Sequence, residues 1–234
     1  MQISKRLEMV ADMVTRGGVV ADIGTDHAYI PIYLIENKKA ERAIAMDVNE
    51  GPLQRAREHI LQHALDRLID TRLSDGLEAL EPQEADCVVI AGMGGPLTVR
   101  ILTQGEGKLG VHTELILQPQ SEIAAVRSWT EEHGWEIVRE EMIREDGKYY
   151  PMMRAIRKID GAEDEKPLSQ VEKKYGRLLL QRRDPVLEAF LRHELILGKR
   201  ILSALEGQCA EAAAKRRDEV TEEIQMIETA LGGF

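Results

Sequence analysis

Gly18-Val19-Val20-Ala21-Asp22-Ile23-Gly24-Thr25-Asp26-His27-Ala28 is the stretch from which the architecture can be read. Its first six residues form a short, β-branched run without polar alternation, the pattern of a strand covered on both faces. Gly24 permits a tight turn and lets a ligand approach bare backbone. The apolar stretch that follows predicts a helix over 28–36, whose start would offer free N–H groups to an anion. Strand, glycine turn and helix make the opening unit of a parallel α/β sheet.

The residues on either side repeat that unit. Further apolar runs lie at 43–48, 69–73, 86–91 and 114–117, and helical patterns at 4–13, 52–63, 96–104 and 122–133. Two β-rich segments, 135–144 and 149–157, flank Glu145-Asp146-Gly147-Lys148 and predict an antiparallel hairpin that closes the sheet edge. Asp160-Gly161-Ala162-Glu163-Asp164-Glu165-Lys166-Pro167 reads as a linker. Beyond it the pattern is helical: one helix over 168–182, stopping before Asp184-Pro185, then two amphipathic helices separated by a turn at Gly207. The first of the pair carries Leu187, Leu191, Leu195, Gly198, Leu202 and Leu205 at spacings of three and four. Ala213, Val220, Ile224, Ile227 and Leu231 continue the pattern in the second. The fold class is therefore α/β, a Rossmann-like domain over 1–160 with a C-terminal α-helical, coiled-coil-like domain over 161–234. By periodicity alone the tail serves equally as a dimerisation hairpin.

Composition removes other classes. With 234 residues and 43% apolar content the chain can bury a real core, which excludes disorder as its main state. The longest apolar runs are far short of the ~20 residues that span a bilayer, and no secretory h-region opens the chain. Its two cysteines, Cys87 and Cys209, form neither a disulfide framework nor a metal cluster, which points to a reducing cytoplasm. A net charge of −10 argues against a uniformly basic nucleic-acid surface, but the charge is unevenly divided. Residues 166–200 hold nine Lys or Arg against four acids, an excess of five, so the remainder carries −15. A basic module on an acidic chain suggests an anionic partner; a solvated helix face is the plainer explanation.

The chemistry-bearing residues gather at the ends of the predicted strands. Asp26 and Ala28 stand where a dinucleotide loop would have its second and third glycines, and the Asp26 carboxylate would repel a pyrophosphate. It suits instead the charged amino-acid end of S-adenosylmethionine. Asp47 closes the second run, roughly twenty residues past Gly24, where ribose-binding carboxylates sit. Ser74-Asp75-Gly76 closes the third and offers a carboxylate to an adenine amine. Each acid alone could simply cap the next helix. Three at successive strand ends favour a nucleoside cofactor. Ala91-Gly92-Met93-Gly94-Gly95-Pro96 leaves the fourth run, its glycines leaving room for a flat substrate, and Gln118-Pro119-Gln120 adds amides after the fifth. His59 and His63 share zinc-pair spacing, but no third ligand accompanies them and they read as surface residues. No nucleophile elbow or Walker loop is present, and Cys87 reads as core. Tyr29, Tyr149 and Tyr150 are the base-stacking candidates near the site.

Together these strings resemble the TrmK family of bacterial tRNA methyltransferases, which modify N1 of adenine 22. The resemblance rests on Ser4-Lys5-Arg6-Leu7, Ala21-Asp22-Ile23-Gly24-Thr25-Asp26-His27-Ala28-Tyr29-Ile30-Pro31, Ser74-Asp75-Gly76-Leu77-Glu78 and Ile90-Ala91-Gly92-Met93-Gly94-Gly95. Leu115-Ile116-Leu117-Gln118-Pro119 and Glu145-Asp146-Gly147-Lys148-Tyr149-Tyr150 match as well. It covers 1–158 closely and the tail in general character. It implies a class I methyltransferase domain, S-adenosylmethionine as donor, and a helical module that helps to hold tRNA. On that basis the donor would be bound by Asp22, Gly24, Asp47, Asp75, Gly76, Gly92, Met93 and Gly94. The RNA would be bound by Arg6, Lys173, Lys174, Arg177, Arg182 and Arg183, with no metal and no membrane involved.

Adenine N1 carries an in-plane lone pair, so attack requires no prior loss of a proton, and positioning supplies much of the acceleration. The product is cationic, and a carboxylate beside it stabilises the developing charge. Asp26 is assigned that role, with His27 and Tyr29 orienting or stacking on the base; Asp26 could equally serve the donor's amino group. A small-molecule methyltransferase with a dimerising tail would use the same pocket. A non-catalytic RNA-binding scaffold is the third reading.

Overall fold

The computed structural model describes residues 1–15, 17–158, 166–206 and 210–234. It divides into two compact units, Met1–Lys166 and Pro167–Phe234. Much of the expected linker, the expected turn at Gly207 and Cys209 lie outside the described residues.

The first unit is built on β1 (Val19–Ile23), β2 (Arg42–Asp47), β3 (Ile69–Leu73), β4 (Cys87–Ala91), β5 (Glu114–Gln118), β6 (Trp135–Glu145) and β7 (Lys148–Arg157). They form one sheet in the order β3-β2-β1-β4-β5-β7-β6. The first five are parallel, with Val20 in register with Ala43 on one side and with Cys87 on the other. Strand order therefore reverses between β1 and β4, and open α/β sheets bind ligands beyond the carboxyl ends of their strands at such a point. β7 runs antiparallel to β5 and to β6, which becomes the edge. Asp146 and Gly147 at the hairpin tip both have positive φ, 49° and 78°, as a type I′ turn requires.

Helices α1 (Lys5–Met13), α2 (Tyr29–Glu36), α3 (Glu50–Gln62), α4 (Gly95–Gln104) and α5 (Ile123–Glu132) separate the strands. Ile32, Leu34, Val89 and Ile116 pack in one apolar layer, and Leu77, Leu102, Leu115 and Trp129 in the other. Both faces of the sheet are thus dry, which is why its strands read as continuous apolar runs. The Arg127 guanidinium of α5 and the Glu140 carboxylate of β6 meet at 2.8 Å inside the core, each 1% exposed.

The second unit contains α6 (Gln170–Tyr175), α7 (Arg177–Gln181), α8 (Pro185–Leu205) and α9 (Glu211–Leu231). The single helix expected over 168–182 is broken at Gly176, whose φ of 93° is left-handed backbone that only glycine takes cheaply. Ser169 and Glu172 form a reciprocal capping box at the start of α6. Asp184 caps α8 by accepting from the Val186 and Leu187 amides, with Pro185 in the first turn, so the chain stops and restarts at Asp184-Pro185. α8 and α9 run antiparallel: Lys199 pairs with Glu228 at 3.0 Å, Gly198 lies against Ile224, and Arg217 donates to the Leu205 carbonyl. Among the described residues no helix is long and apolar enough to cross a membrane.

Candidate active site

The loop from β1 to α2 is tied down before it reaches its helix. The Gly24 and Thr25 amides both donate to the Met46 carbonyl at 2.8 Å. These two N–H groups fasten the turn to the end of β2. His27 and Ala28 then take left-handed backbone, φ 61° and 53°, so α2 begins at Tyr29, one residue later than predicted. Left-handed backbone costs a residue with a Cβ roughly 1–2 kcal/mol, and two in succession must be held by their surroundings. The holding groups come from α3. Arg55 donates through Nε at 3.1 Å and Nη2 at 2.8 Å to Asp26 Oδ1. One turn further along, His59 Nδ1 lies 2.8 Å from the His27 carbonyl oxygen, and its ring meets Tyr29 edge-on at 5.3 Å. His59 is therefore half-buried rather than a surface histidine, and His63 pairs with Glu36 at 2.7 Å. Among the described residues no group of three His, Cys, Asp or Glu is placed to hold a metal.

Asp26, His27 and Tyr29 emerge together. The Asp26 side chain is 61% exposed and lies 3.6 Å from His27 Nε2. The His27 and Tyr29 rings stack at 5.2 Å with 23° between their planes. Asp22 lies beneath them, buried in β1. Burial pushes its carboxyl up to about 6, and the charge of Asp47 adds to the effect.

The other predicted residues follow the same carboxyl edge. Asp47 is half-buried at the end of β2 and accepts from the Asn49 amide at 2.7 Å. Asp75 follows β3 and is gripped by both terminal nitrogens of Arg100 from α4, at 3.0 and 3.3 Å. Val48 and Leu73, beside these acids, are each 57% exposed, giving the edge two bare apolar surfaces. Gly76 (φ 60°) packs against Ile101. The glycine loop after β4 is pinned to the residues after β5 through the backbone. Gly92 donates to Gln118, Gln120 to Met93 and Gly95 to Ser121, at 2.8–3.0 Å. A side chain at Gly24 would collide with Met93 Cε, so the two loops touch there.

A cavity of about 230 Å³ opens at this junction, lined by Arg6, Leu7, Asp22, Gly24, Thr25, Asp26, Tyr29, Ile30 and Ala91. It brings together Asp22, Gly24, Asp26, Tyr29 and Arg6. Asp47, Asp75, Gly76, Gly92, Met93 and Gly94 lie along the edge outside its walls. Arg6 reaches the site from α1, where Nη1 donates to Gln118 Oε1 at 2.8 Å and the guanidinium lies over the Tyr150 ring. Gln118 is fully buried, and its Nε2 has no protein partner among the described residues. Tyr149 faces Arg144 instead. Sequence reasoning had no role for Arg55 or Arg100; their only signal is a basic residue on the helix next to each acid-bearing loop.

The basic residues expected to hold RNA lie in the second unit. Lys173 and Lys174 are in the last turn of α6, Arg177 opens α7, and Arg182 and Arg183 follow it. Arg177 pairs with Glu172 at 2.9 Å and Arg182 with Asp184 at 2.8 Å. Part of the predicted cationic surface is thus neutralised within the unit.

Residues 3–153 match the family described as Methyltransferase domain. The chain is 41% identical over 155 residues to the tRNA (adenine(22)-N(1))-methyltransferase of Bacillus subtilis (strain 168). That alignment covers 66% of this chain and 65% of the relative, just under two-thirds of its length. The crystal structure of the Bacillus subtilis tRNA m1A22 methyltransferase TrmK superposes with a TM-score of 0.85 at 32% identity, covering 98% of both chains. Streptococcus pneumoniae Sp1610, solved in complex with S-adenosyl-L-methionine, superposes with a TM-score of 0.85 at 35% identity, over 98% of this chain and 100% of that one.

Proposed function

Because this chain belongs to the methyltransferase-domain family, and within it to the TrmK family, we propose that it methylates N1 of adenine 22 in tRNA with S-adenosylmethionine as donor. The observation that carries the reading is the convergence of Asp22, Gly24, Asp26 and Tyr29 on one cavity beside the reversal in strand order. Its walls suit the donor. Gly24 presents bare backbone and Asp22 a carboxylate for the donor's amino group, while Asp47, outside the walls, accepts from the ribose hydroxyls beside the exposed apolar side chains of Val48 and Leu73. Gly92, Met93 and Gly94 close the same edge, and Asp75 with Gly76 stands at the adenine end. When bound, the donor supplies an electrophilic methyl group on a sulfonium.

The chain's own residues then position the acceptor. N1 attacks through a lone pair already in the base plane, so no side chain has to remove a proton first. His27 and Tyr29, stacked on one another, offer an aromatic edge against which a base can lie. Asp26 stabilises the positive charge that grows on the ring and accepts a hydrogen bond from the N6 amine. Arg6 supplies a cation at the mouth of the cavity. The helical unit, with Lys173, Lys174, Arg177, Arg182 and Arg183, holds the rest of the tRNA through its phosphates, an affinity that falls steeply with salt. The division of labour is that of the two sequence domains, donor and target base on 1–160 and the body of the tRNA on 161–234, in the cytoplasm and without a metal.

The test is methyl transfer from labelled S-adenosylmethionine to bulk unmodified tRNA, followed by nucleoside analysis. The reading requires 1-methyladenosine as the labelled nucleoside. Label in another nucleoside, or transfer only to small molecules, overturns it.

A further inference from the structure

We propose that His59 is a positioning residue for this reaction, its Nδ1–H bond to the His27 carbonyl fixing the left-handed turn that carries Asp26 and Tyr29 into the cavity. The inference rests on the reading of the site given above. His59 itself is not a wall of the cavity, so whatever it contributes must pass through the turn.

Strain comes first. His27 and Ala28 are consecutive residues with positive φ, neither of them glycine. Such a conformation survives only where neighbours over-determine it. The anchors already inside the loop, the two amides on Met46, stop at Thr25 and leave the strained pair beyond them.

Leu53, Ala56 and Ile60 are buried, which seats α3 firmly on the sheet. Its outer side carries Arg55 and His59 one turn apart, and they meet consecutive residues of the loop. Arg55 takes the Asp26 carboxylate, and His59 takes the His27 carbonyl at 2.8 Å. A carbonyl oxygen only accepts, so the proton of neutral His59 must sit on Nδ1. The same ring packs edge-on against Tyr29 at 5.3 Å and against His63 at 4.9 Å. His59 therefore fixes both the backbone that orients Asp26 and the ring of Tyr29. A misplacement of about 1 Å in a reacting geometry can cost on the order of a hundredfold in rate.

Two substitutions in the full-length protein separate positioning from bulk. His59→Asn keeps an N–H donor at the reach of Nδ1, and His59→Leu keeps apolar volume without the donor. We expect His59→Leu to lower kcat about 30-fold with KM for donor and tRNA changed less than about threefold, and His59→Asn to stay within about threefold of wild type. Wild-type turnover in the Leu variant, or an equal loss in both, overturns the proposal. A readout independent of turnover is the long-range ¹H–¹⁵N histidine spectrum of the resting protein at pH 8. It should show His59 protonated on Nδ1, and protonation on Nε2 overturns the proposal. If wild type forms no 1-methyladenosine, the functional reading fails by itself, while the tautomer still decides whether the clamp exists.

Discussion

The loops after β1 and after β4 leave adjacent strands of one sheet and touch at Gly24 and Met93, yet their bends are held differently. Past Gly24 and Thr25, whose amides hold it to Met46, the first bends through residues that carry side chains, His27 and Ala28 at positive φ, and these are restrained from outside by Arg55 and His59 of α3. The second bends through glycines and is restrained by its own backbone, three hydrogen bonds to the segment 118–121. The difference follows from what each loop must present. A loop that delivers a carboxylate and an aromatic ring cannot be made of glycine, so its strain has to be compensated elsewhere. A loop that only has to leave space can be glycine throughout, provided nothing is added to it.

Substitutions that exchange those properties should break the two loops differently. Asp26→Asn removes the charge the first loop exists to deliver, and we expect kcat to fall by about 10²–10³-fold with the fold intact, measured with saturating donor and tRNA. Near-normal turnover would reassign Asp26 to the donor. Gly95→Ala strikes the second loop's framework, because the new Cβ would lie 2.5 Å from the Ser121 carbonyl oxygen and 2.6 Å from that of Glu122. Neither backbone atom can move cheaply, and urea unfolding should show a loss of about 3 kcal/mol.

Asp22, in β1 just before the first loop, makes the stability of the fold depend on pH. Its folded carboxyl titrates at about 6, above the 3.8 of the unfolded chain, so the folded state holds the extra proton. Stability should therefore fall as pH rises from about 4 to about 6, by up to roughly 2–3 kcal/mol, and be flat in this respect above that window. Asp22→Asn should abolish that slope in pH-resolved denaturation, and an unchanged slope would remove Asp22 as its source. The smallest effect on stability is expected from Gly24→Ala. Its φ of 74° costs about 1–2 kcal/mol, but the atom in the way is the end of the flexible Met93 side chain. Calorimetry should show the larger change in donor affinity, which is lost as the methyl group covers the bare turn.

Much of this was open to a reader of the sequence, and for definite reasons. Strands covered on both faces are continuous apolar runs, so β1, β2, β4 and β5 were legible, and Asp146-Gly147 announced the hairpin. The acids of the site were legible because each closes such a run. What local sequence could not carry was the conformation of His27 and Ala28, since positive φ at such residues is imposed by contacts with α3. Arg55, His59 and Arg100 were missed for the same reason: their partners lie 29, 32 and 25 residues away. Gly176 differs: a single glycine inside an otherwise helical pattern does not by itself announce a break. Net charge is the wrong scale because −10 is the sum of +5 over 166–200 and −15 over the rest of the chain, the last helix included.

We propose that the donor and target base meet at the cavity beside the loop after β1, and that this site serves one base at one position of tRNA. The most direct test incubates the full-length protein and S-adenosylmethionine with two transcripts of the same tRNA, one with adenine and one with guanine at position 22. Methylated sites are then mapped by reverse transcription. The account predicts a stop at position 22 in the first transcript and none in the second. Equal methylation of both transcripts, or a modification mapped elsewhere, would contradict it.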